Sequence, residues 1–413
     1  MTNQCDTPEV PLLPYDEALV ALTSRVTTLV GTTQKPLMQA LGEILAETQQ
    51  AGINVPPADN SAMDGYAFNT DAINDNGDTV LPVSQRIAAG ETGANLTTGT
   101  AARIFTGAPI PPGANAVIMQ EQVALEDGHI HFQRDLQPGN NIRPKGNDIQ
   151  SGDTILQKGC RLRAQDIGLA ASVGLQNLPV YEKLRVGMFF TGDELVEPGQ
   201  PLAAGKIYDS NRYTLYGLLK SLGCEIVDLG LVGDTLEATK AAMLEASTKA
   251  DLVVTCGGVS VGEEDHVRIA IETLGDLFLW RLRIKPGKPL AFGQINNTSF
   301  IGLPGNPVSV FATFCLFVSP LIKTLQGRQW QKPQGVAVKA AFDWPKPDSR
   351  REFLRARLET DDHGEPAVSI YDNQDSGVLT STVWGQGFVE IAEGQTVRAG
   401  ELVNYLSYSQ FLE

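Results

Sequence analysis

The 413-residue sequence predicts a multidomain α/β plus β fold, and three observations indicate it. The chain is longer than one ordinary domain, and 42% of its residues are hydrophobic, which is enough for several cores. Residues 184–330 alternate nearly unbroken apolar runs with amphipathic segments, the pattern of strand–helix–strand units around a mostly parallel sheet. Glycine (41 residues) and proline (24 residues) are frequent, which predicts many turns and short strands elsewhere.

The N-terminal part predicts a β-rich domain inserted into a helical stalk. Residues 14–51 have helical periodicity twice, first in a segment capped by Asp16 and then in PLMQALGEILAET, residues 36–48. Residues 52–150 form short alternating runs broken by Gly, Pro, Asn and Asp, whereas residues 151–183 contain another helical segment. We therefore predict a discontinuous stalk domain, an inserted β-rich domain, an α/β domain and a small C-terminal β domain. Their limits are residues 14–51 with 151–183, 52–150, 184–330 and 331–413.

Composition excludes several classes of protein. The net charge of −16 argues against general binding to nucleic acid or to anionic membranes. No basic, then apolar, leader and no run of 18 apolar residues is visible, so we expect a cytoplasmic protein without a membrane segment. Five scattered cysteines without CxxC spacing indicate reduced thiols, not a disulfide framework or a zinc site.

Three polar loops follow predicted strands of the α/β domain, where ligands bind in open sheets. The first, residues 191–195, carries Glu194, and the third, residues 303–309, leads into an apolar helix. The second, residues 256–266, combines glycines, which let backbone N–H groups approach an anion, with three acids that suit a divalent cation. Each loop alone is equally compatible with a helix cap or a tight turn.

Residues 280–288 form a basic segment with four cations and no acid. Alternation puts Arg281, Arg283 and Lys285 on one face of a strand. Burying that face inside a sheet would be costly, so we place it at a strand end or edge. A solvated edge strand is the alternative, and the nearby loops favour an anion site. Alternation also predicts a shared face for a later set: Arg351, Arg355 and Arg357.

Nine motifs follow one another along the chain: PPADNSAMDGYAF, ARIFTGAPIPPGANAVIMQE, RPKGNDI, TGDEL, DSN, GGVSVGEEDH, IKPGKPLAFG, LPGNPVS and SRREFLR with QDSGVLTS. In this order they resemble the MoeA family of molybdopterin molybdenumtransferases, which includes the E-domain of gephyrin. The resemblance runs from about residue 14 to about residue 406, which is nearly the whole chain. The resemblance implies a four-part chain with a MogA-like molybdopterin-binding α/β domain. It also implies an elongated homodimer with the active site at the interface.

The resemblance implies a reaction and a set of residues. The family cleaves adenylylated molybdopterin with Mg²⁺, inserts molybdenum from molybdate into the dithiolene, and releases AMP. The implied catalytic residues are Asp59, Thr106, Glu194, Asp234, Asp265 and Lys285. The implied Mg²⁺ ligands are Asp265, Glu194 and Asp234. The implied substrate-binding residues are Gly257, Gly258, Ser260, Gly262, Arg281, Lys288, Pro304, Pro307, Arg350, Arg355 and Ser376. Of these, Arg355 and Ser376 are expected to receive molybdate together with Lys285, and Asp59 is expected to come from the second chain.

The sequence also departs from the family pattern. Arg281 stands where Lys is usual, Cys256 stands where Ser is usual, and residues 383–388 replace a common Ala-Asn segment. Two other functions stay open: an ATP-using molybdopterin adenylyltransferase, and a non-catalytic carrier or scaffold. The domains outside 184–330 favour the insertase over the first, and the intact acidic positions argue against the second. Contacts with the adenylyltransferase and with recipient molybdoenzymes are further expectations.

Overall fold

The computed structural model describes residues 12–74, 78–259, 266–361 and 364–413. Its N-terminal segment contains less helix than we predict. Its elements are α1 (Tyr15–Thr23), β1 (Thr32–Pro36), α2 (Leu37–Ala40) and β2 (Gln49–Gln50). The predicted helix over residues 36–48 is wrong beyond Ala40, because Gly42 adopts a left-handed φ of 79° that ends the helix. Asp16 is not the cap of α1 but lies in its first turn, where it pairs with Lys332 and Arg351.

The inserted module folds around a six-stranded sheet with the order β7-β4-β6-β5-β9-β8. The six strands of this sheet are β4 (Gly65–Phe68), β5 (Asp78–Ile87), β6 (Ala101–Ile104), β7 (Ala116–Met119), β8 (Ala124–Glu126) and β9 (His129–Gln133), and a separate antiparallel pair consists of β3 (Asn60–Ser61) and β10 (Ile142–Arg143). Two 3₁₀ turns, Thr70–Ala72 and Gln120–Gln122, connect them. Phe68 and Phe132 lie in its core with ring centroids 5.3 Å apart.

After the module, the chain returns to the strands that it left. The returning elements are β11 (Thr154–Leu156), α3 (Ala164–Ser172) and β12 (Asn177–Tyr181). β11 pairs with β2 and β12 pairs with β1, both antiparallel. The module is therefore an insertion whose two ends are held by strand pairs. The strand pairing does not test the domain limits that we predict, and they stay predictions.

The α/β part is built on a six-stranded sheet with the order β16-β13-β17-β21-β20-β18. Its elements are β13 (Arg185–Thr191), β14 (Leu195–Val196), β15 (Ile207–Tyr208), α4 (Ser210–Ser221), β16 (Glu225–Val232), α5 (Leu236–Lys249), β17 (Leu252–Cys256), α6 (His266–Leu274), β18 (Gly275–Arg281), β19 (Ile284–Lys285), β20 (Pro289–Ile295) and β21 (Thr298–Leu303). The first four strands are parallel to one another, β20 is antiparallel to β21, and β18 is antiparallel to β20. Val253 packs with the core of α5 and α6, whereas its neighbour Val254 packs with the core of α1 and α4. Both faces are covered, as the unbroken apolar runs predict.

A long apolar helix follows the sheet and crosses its larger core. It consists of α7 (Pro307–Thr313), a π-helical turn (Phe314–Val318) and α8 (Ser319–Leu325). By length and composition, Pro307–Leu325 could cross a membrane, but 89% of it is buried inside the protein. Such burial is typical of a core helix.

The C-terminal part is a closed five-stranded barrel. Its elements are β22 (Val336–Ala340), β23 (Arg351–Thr360), β24 (Pro366–Ile370), α9 (Thr380–Trp384), β25 (Gly387–Ile391), β26 (Leu402–Ser407) and α10 (Ser409–Leu412). The strands follow the order β23-β24-β22-β26-β25, and β25 pairs again with β23. β19 from the α/β part adds to β23 in parallel, with Lys285 opposite Glu352. This register fixes the basic segment to the barrel.

Candidate active site

The structure brings parts of the three predicted loops together at the carboxyl ends of β13, β17 and β21. They surround a cavity of about 450 Å³, which we name the strand-end cavity. Its lining includes Glu194 from the first loop, Gly257 from the second and Pro307 from the third. The cavity thus lies where the topology of a parallel sheet predicts a ligand.

The acidic side of the strand-end cavity contains part of the predicted Mg²⁺ ligand set. Glu194 lines the cavity, and Asp234 accepts a 2.8 Å hydrogen bond from Thr191 Oγ1, which lines the same cavity. Glu194 and Asp234 both carry hard carboxylate oxygens, which Mg²⁺ prefers. The third predicted ligand, Asp265, lies outside the described residues. Among the described residues, no three His, Cys, Asp or Glu side chains are close enough to hold a metal, so the magnesium site stays a prediction.

The local backbone conformation explains why glycines stand at the start of the second loop. Gly257 and Gly258 adopt left-handed φ angles of 87° and 63°. A Cβ at Gly258 would stand 2.7 Å from Val267 Cγ2, closer than carbon atoms pack. Glycine therefore fits both positions of the backbone directly after β17. The predicted Ser260 and Gly262 lie outside the described residues.

Asp209 and Asn211 belong to this site, although we do not predict them from the sequence as site residues. Asp209 is 1% exposed, burial raises its pKa, and its Oδ1 accepts from the backbone N–H of Arg212 at the start of α4. Asn211 donates from Nδ2 to the carbonyl oxygen of Gly305 at 2.7 Å, which ties α4 to the third loop. The Asp-Ser-Asn sequence before a helical segment is an N-cap signal that could have found them.

A second cavity of about 540 Å³, the basic cavity, is lined by cations from both sides of the α/β–barrel junction. Lys285 and Lys288 come from the basic segment, and Arg350 comes from the loop before β23. Leu282 and Ile284 are fully buried, so the predicted alternation of the basic segment is confirmed. The predicted position is also confirmed, since the edge strand β18 ends at Arg281.

Not every cation of that segment reaches the described cavities. Arg281 and Arg283 line neither one. The predicted contact of Arg281 with substrate stays a prediction.

Two carboxylates orient the cations of the basic cavity. Lys285 Nζ lies 3.2 Å from Asp348 Oδ2 and 2.8 Å from Glu352 Oε1. Burial lowers the pKa of Lys285, but hydrogen bonds to Glu352 and Asp348 outweigh this effect and raise it. Arg350 donates to Asp348 from Nε at 3.1 Å and from Nη2 at 3.0 Å, and these bonds hold the pKa of Asp348 well below its ordinary value. Lys285 is therefore charged at neutral pH, and the carboxylates hold both cations in place.

The two cavities share a wall. Gly305 and Asn306 line both of them. Asn306 donates from Nδ2 to Ser376 Oγ at 2.8 Å, and Val308 N–H donates to the carbonyl oxygen of Ser376 at 3.0 Å. One loop of the α/β part and one loop of the barrel thus meet between the cavities. The predicted Pro304 and Ser376 line the basic cavity, and Pro307 lines the strand-end cavity.

Arg355 is buried behind residues that line the basic cavity, and its predicted contact with molybdate stays a prediction. Its side chain is 1% exposed and is not among the residues that line the basic cavity. Its guanidinium donates to Ser381 Oγ at 3.0 Å and to the carbonyl oxygen of Asp375 at 3.2 Å, and burial lowers its pKa to about 10. Arg355 therefore supports residues 374–379, which include lining residues of both cavities.

Asp59 and Thr106 lie on the inserted module and line neither cavity. Asp59 Oδ1 accepts from the backbone N–H of Lys145 at 2.7 Å. Thr106 donates from N and from Oγ1 to Asp64 Oδ1, at 2.8 Å and 2.7 Å, and these bonds lower the pKa of Asp64. Within one chain, these hydrogen bonds therefore join loops of the module that are 86 and 42 residues apart in sequence.

Comparison with known proteins decides the family. Residues 13–174 match "MoeA N-terminal region (domain I and II)", residues 187–324 match "Probable molybdopterin binding domain", and residues 337–408 match "MoeA C-terminal region (domain IV)". The chain is 40% identical to the molybdopterin molybdenumtransferase of Haemophilus influenzae, over 97% of this chain and 100% of the relative. The chain belongs to the MoeA family.

Two further MoeA relatives agree with this assignment. A molybdopterin molybdenumtransferase from a Nostoc species is 37% identical over 76% of this chain and 74% of its own length. The crystal structure of a molybdopterin biosynthesis MoeA protein from Pyrococcus horikoshii OT3 superimposes with a TM-score of 0.84 and 32% identity. It covers 96% of this chain and 100% of that chain. The sequence-based resemblance and the predicted multidomain architecture are confirmed.

Proposed function

We propose that this MoeA-family chain is a molybdenum insertase of molybdenum cofactor biosynthesis. In this proposal it cleaves adenylylated molybdopterin in the presence of Mg²⁺, inserts molybdenum from molybdate into the dithiolene, and releases AMP. The names of the curated relatives support the transferase reaction in its general form. The adenylylated substrate, the role of Mg²⁺ and the release of AMP are parts of the proposal.

The observation that carries the proposal is the pair of cavities with a shared wall. The strand-end cavity offers the glycine loop and the carboxylates around Glu194, which suit a phosphoanhydride with its metal ion. The basic cavity offers Lys285, Lys288 and Arg350, which suit a tetrahedral oxyanion such as molybdate. Because Asn306 lines both cavities, two anionic reactants would lie on either side of one loop.

Named roles follow for the chain's own residues. Glu194, Asp234 and Asp265 would hold Mg²⁺, which when bound supplies positive charge that polarises a phosphoryl group. Gly257 and Gly258 would let backbone N–H groups approach the phosphates, and Thr191 would orient Asp234.

Assembly and location are proposed on the family resemblance. Asp59 and Thr106 line neither cavity of their own chain, so we propose that they reach the site of a second copy in a homodimer. We also propose a cytoplasmic enzyme that contacts the preceding adenylyltransferase and recipient molybdoenzymes.

The test follows AMP release from adenylylated molybdopterin by the purified protein with Mg²⁺, with and without molybdate. Molybdate-dependent release together with active cofactor would support the insertase. Tight binding without release would instead indicate a carrier, and ATP-dependent adenylylation of molybdopterin would indicate an adenylyltransferase. Glu194→Gln should reduce release strongly. Asp193→Asn is the matched control, because Asp193 is exposed in the same loop and does not line the strand-end cavity.

A further inference from the structure

The donor groups of the basic cavity are held by two carboxylates that do not line it. Neither Glu352, which is 1% exposed, nor Asp348 is among the residues that line the cavity. Glu352 Oε1 faces Lys285 Nζ at 2.8 Å, while Oε2 accepts from Trp344 Nε1 at 2.7 Å. Burying a carboxylate this deeply is costly unless its charge is paired, so Glu352 requires Lys285 beside it.

The count of donors shows what these contacts achieve. A lysine ammonium has three N–H donors, of which Lys285 uses one on Asp348 Oδ2, while Glu352 Oε1 is ion-paired with Nζ at 2.8 Å. The guanidinium of Arg350 uses Nε and Nη2 on Asp348, which leaves Nη1 free of this pair. The remaining donors therefore have fixed directions rather than the freedom of surface cations.

We propose that Asp348 and Glu352 are positioning residues that fix the free donors of Lys285 and Arg350 for a tetrahedral oxyanion in the basic cavity. This inference rests on the proposed function for the identity of the oxyanion, molybdate. Preorganised donors lose less entropy on binding than mobile ones. The two carboxylates thus raise affinity although they lower the net positive charge beside the cavity.

In the part of the chain that the structure describes, charged groups near Lys285 come from four places. They are Asp348 and Arg350 from the loop before β23, Glu352 from β23 itself, Lys288 from its own loop, and Asp375 across the cavity. Asp375 Oδ1 accepts from the backbone N–H of Gly377 at 2.8 Å. Neutralising Glu352 removes the partner nearest to Lys285 Nζ, so Lys285 should lose its proton at lower pH.

The first experiment measures molybdate binding to the full-length protein by calorimetry at a series of pH values. Glu352→Gln and Asp348→Asn should each weaken binding about tenfold, the lower end of the effect of losing an outer partner at metal sites. In Glu352→Gln, binding should also fall off at lower pH than in the wild type. Glu352→Asp, which keeps the charge, should restore most of the affinity.

The control is Glu390→Gln. Glu390 is also ion-paired on this barrel, with Arg351 at 3.2 Å, but it does not line the basic cavity. It should leave both the affinity and the pH profile unchanged. Wild-type affinity and an unshifted profile in Glu352→Gln and Asp348→Asn would overturn the inference. If Glu352→Gln fails to fold, Asp348→Asn carries the test, because the Asp348 side chain is 20% exposed.

A second readout needs no ligand and separates this inference from the proposed function. Pulse acetylation with mass spectrometry follows the reactivity of Lys285 against pH. A lower apparent pKa of Lys285 in Glu352→Gln would support the positioning role even if the wild type binds no molybdate, in which case only the proposed function fails. An unchanged Lys285 profile would overturn the positioning role whatever the binding result.

Discussion

Replacing Lys285 with methionine should lower the free energy of unfolding by about 2 kcal/mol, apart from any effect on activity. The substitution leaves Glu352, which is 1% exposed, with the Trp344 Nε1 donor as its one side-chain partner among the described residues. Breaking a fully buried ion pair costs about 3–5 kcal/mol. The side chain of Lys285 is 41% exposed, so water already weakens the pair, and the lower value follows.

A double substitution isolates the cause. In Lys285→Met with Glu352→Gln, the neutral amide keeps an acceptor for Trp344 and no charge is left buried, so the loss should fall below about 1 kcal/mol. The assay is equilibrium urea unfolding of the wild type, both single variants and the double variant. Shifts of the midpoint are compared at an unchanged slope. A single Lys285→Met variant as stable as the wild type would refute the reasoning, as would a double variant no more stable than Lys285→Met.

Three further predictions concern other parts of the site and core. Gly258→Ala should destabilise the protein by about 1–3 kcal/mol in urea unfolding, because of its left-handed φ and the close Val267. In contrast, Gly305→Ala, whose Cβ meets nothing nearer than 3.9 Å, should not. Burial lowers the pKa of Lys323 from 10.5 to about 8, so the unfolded state binds more protons between these values and stability should rise with pH there. Lys323→Met should abolish that rise, which is measured by comparing the unfolding midpoints below and above this pH range. Arg355→Met should weaken the binding of molybdate and of the nucleotide substrate together, since Arg355 supports a loop that lines both cavities. A loss of molybdate binding alone would instead indicate that Arg355 contacts molybdate directly.

The sheet and its loops could be predicted because the relevant signals are local. The strand β17 reads as an unbroken apolar run, and all five of its residues are buried. A parallel sheet brings the carboxyl ends of its strands to one edge, so three loops distant in sequence had to meet. The failed prediction over residues 36–48 shows the limit of periodicity. Leu45 is buried there, but its N–H bonds to the carbonyl oxygen of Cys160, a partner that no local pattern reveals.

The site contacts that decide orientation are non-local in the same way. Asp348 lies 63 residues after Lys285, and nothing in the spacing of either residue predicts their hydrogen bond. Alternation grouped Arg355 with Arg351, yet it cannot say whether that face of β23 points to solvent or inward. The barrel decides this, because β23 pairs along its length with β25 and β24, and Arg355 becomes buried.

The register of β19 explains why the basic cavity needs two parts of the chain. Lys285 belongs by sequence to the α/β part, but its strand pairs with β23 of the barrel and its charge is paired there. The opposite wall, Asn306, moves with the α/β part and is joined to the barrel through Ser376. A shift of the barrel against the α/β part would therefore separate the cations from the loop that borders the strand-end cavity. Because the two cavities share that loop, the proposed placement of an oxyanion next to a phosphoanhydride depends on the position of the barrel.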